Sequence, residues 1–596
     1  MKPRSFFTRD LWIVLGVALV VRLAYFFLNT RANPAFDFLI MDSKYIDAWA
    51  QAIAAGNPGA SVYFRGPLVP YLFALVHKAG GGVAGVILLN HIAGTLTCGL
   101  VWLLARAYFS RTVALVAGLT AALYWPFVYF EGEVLIEPVF ITLLVWSLWR
   151  LARALAEPSV WRLAIAGASV GLAALARPTA LVLLPVLPFV FAARPPTGAD
   201  AKARARWVPS LVVVASCLVV LVPSTLRNYR VGHTIVPVAW SGGLNFYIGN
   251  NPESDGRSAM IPGATTPWMG GDEEALAIAS QQAGDSLTAV QASRFYQRRA
   301  FEYFATEPVA AATLMAKKFY MFWEGPERSN EKYIYFFWDR FGLGRVPMPG
   351  FWLVSPFALV AMIRLWPRRR ELALLYGFVI SYLIGVVLFF VVARYRLPVV
   401  PVLIVFAAWT AVELGSAWRA RQWKSARLTL VLVAALFVLV NASYPDFLRR
   451  RPTHIAISHY TLAGAYREHS DKTGELKELL EARAAFERSP SIHYAHVSQD
   501  IYFKLGTLLY ERGQCAEAIK ALGQIVPNDP RAYQARVMFA ECCEKTGRFQ
   551  EAGKAYELTL RDSPSNVDAL RGYIRCLEAT GRWDDAAEAR KRLPAN

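Results

Sequence analysis

Long apolar runs, separated by short stretches that contain Lys and Arg, constrain the fold of this chain more than any other feature. The first run, LWIVLGVALVVRLAYFFL, occupies residues 11–28, and a later one, VAGVILLNHIAGTLTCGLVWLLA, occupies residues 83–105. A helix needs roughly 20 apolar residues to cross the hydrocarbon core of a bilayer. Because further runs of this kind follow, the sequence predicts an all-α polytopic membrane protein. Arg22 interrupts the first run, so we expect its side chain to face other helices and not lipid.

Composition excludes an ordinary soluble protein. Of the 596 residues, 55% are apolar and 18% are charged, and the mean hydropathy is +0.32. The formal net charge of +19 could indicate a nucleic-acid partner. The Lys and Arg residues, however, fall largely in the gaps between apolar runs, as they do in the cytoplasmic connections of membrane proteins. We therefore expect a membrane and no nucleic acid.

The distribution of basic residues also predicts the orientation of the chain. Arg106 and Arg111, for example, follow the run that ends at residue 105 and mark a cytoplasmic connection. Alternating the runs on this rule gives about eleven transmembrane helices, with an uncleaved first helix whose N-terminus is inside and a C-terminus outside. The transmembrane domain would occupy residues 1–445, with external loops at 30–70 and 224–350.

The C-terminal region, residues 454–596, has a different organisation. Gly513, Gly547 and Gly581 recur 34 residues apart, and alanines and prolines recur at the same interval. This period is typical of the tetratricopeptide repeat, which forms an α-solenoid of stacked helix pairs. A less regular unit precedes these repeats from about Ala463. We expect the repeats to bind a protein partner, although they could also serve a structural purpose.

The first external loop contains the strongest candidate for a chemical role. Asp42, Tyr45 and Trp49 follow one another at spacings of three and four, which places them on one side of a helix. Arg65 follows in the same loop. This side could present a carboxylate to a substrate carried by a lipid. Alternatively, Asp42 could simply cap the helix, because Asp is a favoured residue at a helix N-terminus.

Two arginines at the predicted outer end of a membrane helix suggest a bound anion. Arg394 and Arg396 form part of the segment Arg-Tyr-Arg-Leu-Pro. Cations on the outer face run against the usual distribution of charge. Guanidinium groups can bind a phosphate through two hydrogen bonds and stabilise the charge on a departing phosphate. Binding of ordinary lipid headgroups is the competing interpretation.

Two further segments contain polar residues at the outer face. Glu137 precedes Pro138 at the start of a helix, where a carboxylate also favours the positive end of the helix dipole. Gly and Asn are concentrated at residues 242–252, where the glycines permit tight turns. Asn245 and Asn250 are the residues of this segment that could bind a sugar.

These segments resemble the GT-C superfamily of membrane glycosyltransferases, in particular bacterial relatives of the protein-mannosyltransferase and aminoarabinose-transferase families. The similarity covers roughly residues 10–415. The motifs that carry it are Asp42-x-x-Tyr45-x-x-x-Trp49-Ala50, Tyr63-x-Arg65-Gly66-Pro67, Glu137-Pro138, Arg227-Asn228-Tyr229-x-Val231-Gly232, the segment 242–252 and Arg394-Tyr395-Arg396-Leu397-Pro398.

The resemblance implies an enzyme that transfers a sugar from a polyprenyl-phosphate donor to a hydroxyl group of a glycan, lipid or protein. It would act by a single inverting displacement with Asp42 as general base and Glu137 as a second acidic residue. A divalent metal, Mg²⁺ or Mn²⁺, shared by these two carboxylates is left open. The remaining implied site residues are Arg394, Arg396 and Arg227 for the donor phosphate, and Tyr45, Arg65, Asn245 and Asn250 for substrate contacts.

Two other classes of function compete with this one. A transporter or flippase of lipid-linked sugars would also place charges near membrane helices, but such proteins tend to contain inverted repeats, and we find none in this membrane region. A membrane-anchored repeat scaffold is the third class, which the extensive external loops disfavour. The chain is rich in Ala and Arg and contains no organelle address, so we expect it in the bacterial cytoplasmic membrane.

The cysteines leave their chemistry open. Their spacing, with that of the histidines, does not suggest a zinc site. In an oxidising compartment a disulfide could form within the repeats, but the sequence does not fix its pairing. The cysteines of the repeat region are Cys515, Cys542, Cys543 and Cys576.

Overall fold

The structure is a computed structural model that describes residues 8–193, 207–257, 261, 272–329, 332–488 and 495–594. The chain divides into two compact units, Met1–Pro445 and Asp446–Asn596. All regular secondary structure within the described ranges is helical, as the sequence predicts.

The first unit contains helices that are long and apolar enough to cross a membrane. Six such helices occur in the described residues, or seven if a pair bent by 47°, Arg111–Leu123 and Trp125–Glu131, is one span. The predicted number of about eleven therefore stays a prediction. The six are Arg9–Ala32, Gly82–Tyr108, Glu137–Ala156, Val208–Gly232, Ala393–Arg419 and Trp423–Arg449. Shorter apolar helices are Leu68–Lys78, Val160–Ala176, Pro178–Ala192, Phe351–Arg364 and Ala373–Leu388.

A second group of helices in this unit lies in the two segments predicted to be external loops. They are Met41–Ala54, Gly242–Gly249, Asp272–Ala283, Ala289–Thr306, Pro308–Trp323 and Ile334–Phe341. Thr288 begins one of them with a capping box, in which its side chain and that of Gln291 satisfy each other's backbone N–H groups.

A small hydrophobic core joins these two segments. Phe64 of the first segment packs against Trp240 of the second, with ring centroids 5.0 Å apart, and Tyr247 and Tyr296 stack at 5.6 Å in the same core. Burial of such aromatic side chains dominates core energetics. Residues 30–70 are therefore held in place on one side by residues 224–350.

Arg22, which interrupts the first apolar run, is completely buried. Its guanidinium group donates to Glu131 through Nη2 at 2.8 Å and pairs with the same carboxylate through Nε at 2.7 Å. His91 Nδ1 lies 3.3 Å from Glu131 Oε2. Arg22 therefore faces other helices, as expected. The buried carboxylate of Glu131 compensates its charge, and a charged side chain within a membrane needs such a partner.

The second unit is a series of antiparallel helix pairs. Gly513, Gly547 and Gly581 lie in the turns within the last three pairs and have φ angles of 70°, 76° and 76°, which explains why glycine recurs at these positions. The earlier unit consists of the helix Arg451–Glu468, which contains Ala463, and the helix Lys472–Arg488. The helices are Arg451–Glu468, Lys472–Arg488, Ala495–Glu511, Cys515–Leu522, Ala532–Lys545, Phe549–Asp562, Val567–Ala579 and Trp583–Arg590.

Candidate active site

The helix Met41–Ala54 provides Asp42, the first residue of the candidate site. Its N-cap residue is Ile40, and no side chain caps it. Asp42 lies one residue inside the helix, so it is not the cap, and it is only 5% exposed. A carboxylate buried in this way needs compensating charges. Tyr45 and Trp49 follow on the same side of the helix, with ring centroids 6.2 Å apart.

Two guanidinium groups compensate the Asp42 carboxylate, one for each oxygen. Arg65 Nη2 donates to Oδ1 at 2.5 Å, and Arg394 Nη2 donates to Oδ2 at 2.5 Å. Burial alone would raise the pKa of Asp42, but the positive charges of Arg65 and Arg394 outweigh burial and hold this pKa below its usual value. In the absence of a substrate, Asp42 is therefore firmly ionised.

Arg394 connects Asp42 to the second carboxylate of the site. Its Nε lies 3.4 Å from Glu137 Oε1, while Arg177 Nη1 donates to the same oxygen at 2.9 Å. Tyr395 completes the group, because its hydroxyl accepts from Arg394 Nη2 at 3.1 Å and its ring lies 4.4 Å below the Arg177 guanidinium. Two carboxylates and three guanidinium groups thus form one continuous network.

Local sequence explains how distant parts of the chain deliver these side chains. Glu137 is the first residue of a helix whose next residue, Pro138, suits the first turn. Arg177 follows the helix Val160–Ala176 and precedes Pro178, which forces an extended backbone at Arg177 (φ −154°, ψ 122°). A helix that ends here turns the Arg177 side chain towards Glu137.

Of the predicted site residues, the structure brings together Asp42, Arg65, Glu137 and Arg394. Tyr45 lines the same group, since the Arg65 guanidinium carbon lies 5.4 Å from its ring centroid. No sequence motif indicates that Arg177 belongs to the site. The position of Arg177 in the sequence could have indicated such a role, because it lies at the end of an apolar run and immediately before Pro178.

Arg396 lies in a different environment from Arg394, two residues away. Its Nη2 donates to Glu327 Oε2 at 2.7 Å, its Nη1 donates to the Glu324 carbonyl at 2.6 Å, and its guanidinium stacks 3.8 Å from the centroid of Phe351. The guanidinium of Arg396 thus directs its hydrogen bonds to other residues of the protein. Its predicted role in phosphate binding is untested, but the contacts are those of a structural anchor.

Arg227 also has protein partners. Its Nη1 donates to the Ser61 carbonyl at 2.5 Å, its Nη2 to the Gly59 carbonyl at 2.7 Å, and its guanidinium lies 4.0 Å from the Tyr63 ring centroid. Arg227 therefore fixes the first external loop, which contains Arg65. Asn245, by contrast, is half-buried, and its predicted role in sugar binding remains a prediction.

Asn250 is fully buried and connects three segments. Its amide donates to the carbonyls of Phe246 and Leu388, both at 2.7 Å, and its oxygen accepts from Lys318 Nζ at 2.9 Å. A side chain whose donors and acceptor are all used inside the protein is not available to a sugar in this arrangement.

We expect Asn250→Ala to lower the free energy of unfolding by about 2–4 kcal/mol, because it leaves two carbonyls and one amine buried without this partner. Chemical denaturation in detergent measures this loss, and Asn245→Ala, at a less buried position of the same segment, is the control. A stable Asn250→Ala protein with weakened sugar binding would instead support the predicted sugar contact.

The arrangement of the two carboxylates does not fit a divalent cation. Each oxygen of Asp42 receives a guanidinium donor, and Glu137 Oε1 faces two of them. A cation between the carboxylates would occupy the position of Arg394. Among the residues that the structure describes, no group of three or more His, Cys, Asp or Glu side chains could hold a metal ion.

Comparison with protein families gives three matches. Residues 64–225 match the family described as dolichyl-phosphate-mannose-protein mannosyltransferase. Residues 503–566 and 544–596 match tetratricopeptide repeats. The first match begins one residue before Arg65 and includes Glu137 and Arg177. Residues 64–225 therefore resemble this mannosyltransferase family and are followed by tetratricopeptide repeats, which confirms the predicted resemblance to the GT-C families and the repeats.

The chain is similar to solved structures of one archaeal enzyme, the oligosaccharyltransferase of Archaeoglobus fulgidus. The apo form is 15% identical with a TM-score of 0.40, covering 74% of this chain and 56% of that one. A complex with an inhibitory peptide and a dolichol-phosphate is 15% identical with a TM-score of 0.41, covering 80% and 60%. The chain thus spans little more than half of these proteins. Comparison with curated proteins gives no match.

Together, the apolar helices and the family match indicate a multi-pass membrane protein in which residues 64–225 resemble the mannosyltransferase family. Arg65, Glu137 and Arg177 lie within the matched residues 64–225. Asp42 and Arg394, which complete the network, lie outside them.

Proposed function

We propose that this protein is a glycosyltransferase that moves a sugar from a polyprenyl-phosphate donor to a hydroxyl acceptor at the extracytoplasmic face of the bacterial cytoplasmic membrane. The observation that supports this most strongly is the network in which Arg394 joins Asp42 to Glu137. It combines a candidate base with guanidinium groups suited to a phosphate. The match to a mannosyltransferase family supports the same class of reaction.

The charge balance of the network suits an anionic ligand. Three arginines face two carboxylates, so one positive charge is in excess. The side chain of Arg394 is only 3% exposed and contacts both carboxylates, whereas those of Arg65 and Arg177 are 20% and 16% exposed and contact one carboxylate each. Arg65 and Arg177 are therefore the groups best able to bind the donor phosphate, with Arg394 beneath them.

Donor binding would also activate Asp42. A carboxylate held by two guanidinium groups is a weak base, because its pKa lies far below neutral pH. When the donor phosphate takes a share of the hydrogen bonds of Arg65, the positive charge compensating Asp42 decreases and the pKa of Asp42 rises. The base would thus gain strength only when the donor is in place.

The reaction then proceeds in one displacement. The acceptor hydroxyl attacks the anomeric carbon from the face opposite the phosphate, Asp42 takes the hydroxyl proton, and the bond between the anomeric carbon and the phosphate oxygen breaks. The guanidinium groups stabilise the charge that develops on the phosphate. Glu137 holds Arg177 and Arg394 in position.

The repeats suggest that a protein partner works with the enzyme. Helix pairs of this kind stack into an extended surface and bind peptides or proteins. With the predicted orientation, the repeats would lie on the same side of the membrane as the site, where they could bind an acceptor protein or a component of an envelope assembly.

A transfer assay tests the proposal. Purified protein in lipid nanodiscs is given radiolabelled sugar on polyprenyl phosphate together with a membrane extract as acceptor source, and the labelled product is separated from the donor. We expect loss of donor and appearance of a labelled product with inverted anomeric configuration. If the protein instead moves the intact donor between leaflets of proteoliposomes and transfers no sugar, the transporter interpretation is correct.

We expect Arg177→Met to raise the KM for the polyprenyl-phosphate donor by about 10- to 100-fold, the effect of losing one charge-assisted hydrogen bond of roughly 1.5–3 kcal/mol. Inhibition by sugar-free polyprenyl phosphate should weaken to a similar extent. Arg230→Met removes an exposed arginine near the outer end of another apolar helix and should leave both values unchanged. Equal effects of the two substitutions would point to general surface charge.

A further inference from the structure

Two cysteines of the repeat unit lie in direct contact. The Sγ atoms of Cys515 and Cys542 are 2.9 Å apart, which is within about 1 Å of the separation of roughly 2.05 Å in a disulfide. Cys515 is the first residue of the helix Cys515–Leu522, and Cys542 lies in the helix Ala532–Lys545. Both are buried, at 6% and 0% exposure. The two side chains therefore point at each other from consecutive repeats.

We propose that Cys515 and Cys542 form a disulfide in the mature protein. The bond would join the second helix of one repeat to the first helix of the next, two repeats between which Tyr510 also donates to Glu541. Within the hydrophobic core of this unit, the cross-link would fix the angle between two repeats and therefore the curvature of the surface that they present.

The other two cysteines of the unit do not compete for this bond. Cys543 and Cys576 are buried in the same core, and in the structure all four cysteines of the unit are free thiols. A metal site shared by these cysteines is not favoured, because the described part of the chain contains no group of three or more metal-ligating side chains. Cys542 and Cys543 are adjacent on a helix, so their side chains point in different directions, and Cys542 alone faces Cys515.

Formation of the bond needs an oxidant, which a protein disulfide donor of an oxidising compartment supplies. The thiolate of Cys515, the less buried of the two, attacks the donor disulfide and releases one donor thiolate. The thiolate of Cys542 then attacks Cys515 Sγ and expels the second donor thiolate. Two electrons and two protons pass from the cysteines to the donor, which becomes a dithiol.

Burial determines when this exchange takes place. It raises the pKa of the Cys542 thiol to about 12, so the reactive thiolate is scarce once the repeats have folded. The exchange is therefore expected while the repeats fold on the outer side of the membrane, and the finished bond is shielded from reducing agents.

Peptide mapping of the full-length protein tests the proposal. Cells are quenched with acid, free thiols are blocked with N-ethylmaleimide under denaturing conditions, and the purified protein is digested without reduction. We expect a peptide pair linked through Cys515 and Cys542, with Cys543 and Cys576 recovered as blocked thiols. Recovery of Cys515 and Cys542 as blocked thiols, or a link to either of the other two cysteines, overturns the proposal.

Substitution gives an independent measurement. We expect Cys515→Ala and Cys542→Ala each to lower the Tm of the repeat transition in the full-length protein by about 5–15 °C, and the double substitution to add little more. Reduction under denaturing conditions before refolding should give the same shift in the wild-type protein and none in the variants. Cys543→Ala is the matched control, whose Tm should still respond to reduction.

Discussion

Replacing Asp42 with Asn is expected to lower the rate of sugar transfer by about 10²- to 10⁴-fold, the usual contribution of a positioned general base. Asn keeps the size of the side chain but cannot accept the proton of the acceptor hydroxyl. Donor binding should survive, because Arg65 and Arg177 keep their charges. The measurement is kcat for transfer from labelled polyprenyl-phosphate sugar, together with the Kd for polyprenyl phosphate.

Asp47→Asn is a matched control for this substitution. Asp47 lies on the same helix as Asp42 and is equally buried, at 4% exposure, but its carboxylate contacts His77 at 2.8 Å and accepts from Gln51 at 2.6 Å. We expect Asp47→Asn to affect stability while kcat stays within a few-fold of the wild-type value. Full activity of Asp42→Asn would exclude Asp42 as the base and leave Glu137 as the candidate.

The pH dependence of the wild-type protein bears on the same mechanism. The arginines hold the pKa of Asp42 below its usual value despite burial. The stability that Asp42 contributes is therefore fully present above the unfolded pKa of about 3.9, and it is lost as the pH falls through the folded pKa. In the free enzyme, protonation of Asp42 should therefore not limit kcat/KM between about pH 5 and 8. Because donor binding raises this pKa, the acid limb of kcat should lie at higher pH than that of kcat/KM.

Sequence motifs predicted part of this network and missed part of it, for a physical reason. Asp42 and Arg65 lie in one short loop, so spacing and composition indicate that they cooperate. The contact between Asp42 and Arg394 spans 352 residues, and only the resemblance to a family linked them. Arg177 has no such motif, and its role depends on the helix end that Pro178 imposes.

Arg396 and Asn250, whose contacts differ from their predicted roles, both have partners that are distant in sequence. Arg396 and Asn250 are residue types that bind phosphate and sugar, and they occur in segments near the site. Their buried partners, Glu327 and Lys318, lie 69 and 68 residues away along the chain. Sequence alone does not reveal whether a polar side chain is already hydrogen-bonded to other residues of the protein. The repeats, in contrast, were predictable, because each contact of a repeat is with its neighbours in sequence.

The distinction between ligand-binding and structural arginines leads to the second prediction of large effect. Arg396→Leu is expected to lower the free energy of unfolding by about 3–5 kcal/mol, the usual result of removing one partner of a buried ion pair. Glu327, which is 1% exposed, would lose its charged partner, although Tyr124 Oη still donates to it at 3.0 Å. Denaturation in detergent, followed by intrinsic fluorescence, measures the loss.

A double substitution separates the structural role of Arg396 from phosphate binding. In Arg396→Leu/Glu327→Leu no buried charge is left without its partner, so stability should recover in part relative to Arg396→Leu, and inhibition by polyprenyl phosphate should return with it. If Arg396 binds the donor phosphate, the double variant instead folds but does not recover its affinity for polyprenyl phosphate. Such a result would extend the phosphate site beyond Arg65 and Arg177 and would require Arg396 to exchange Glu327 for the donor when it binds.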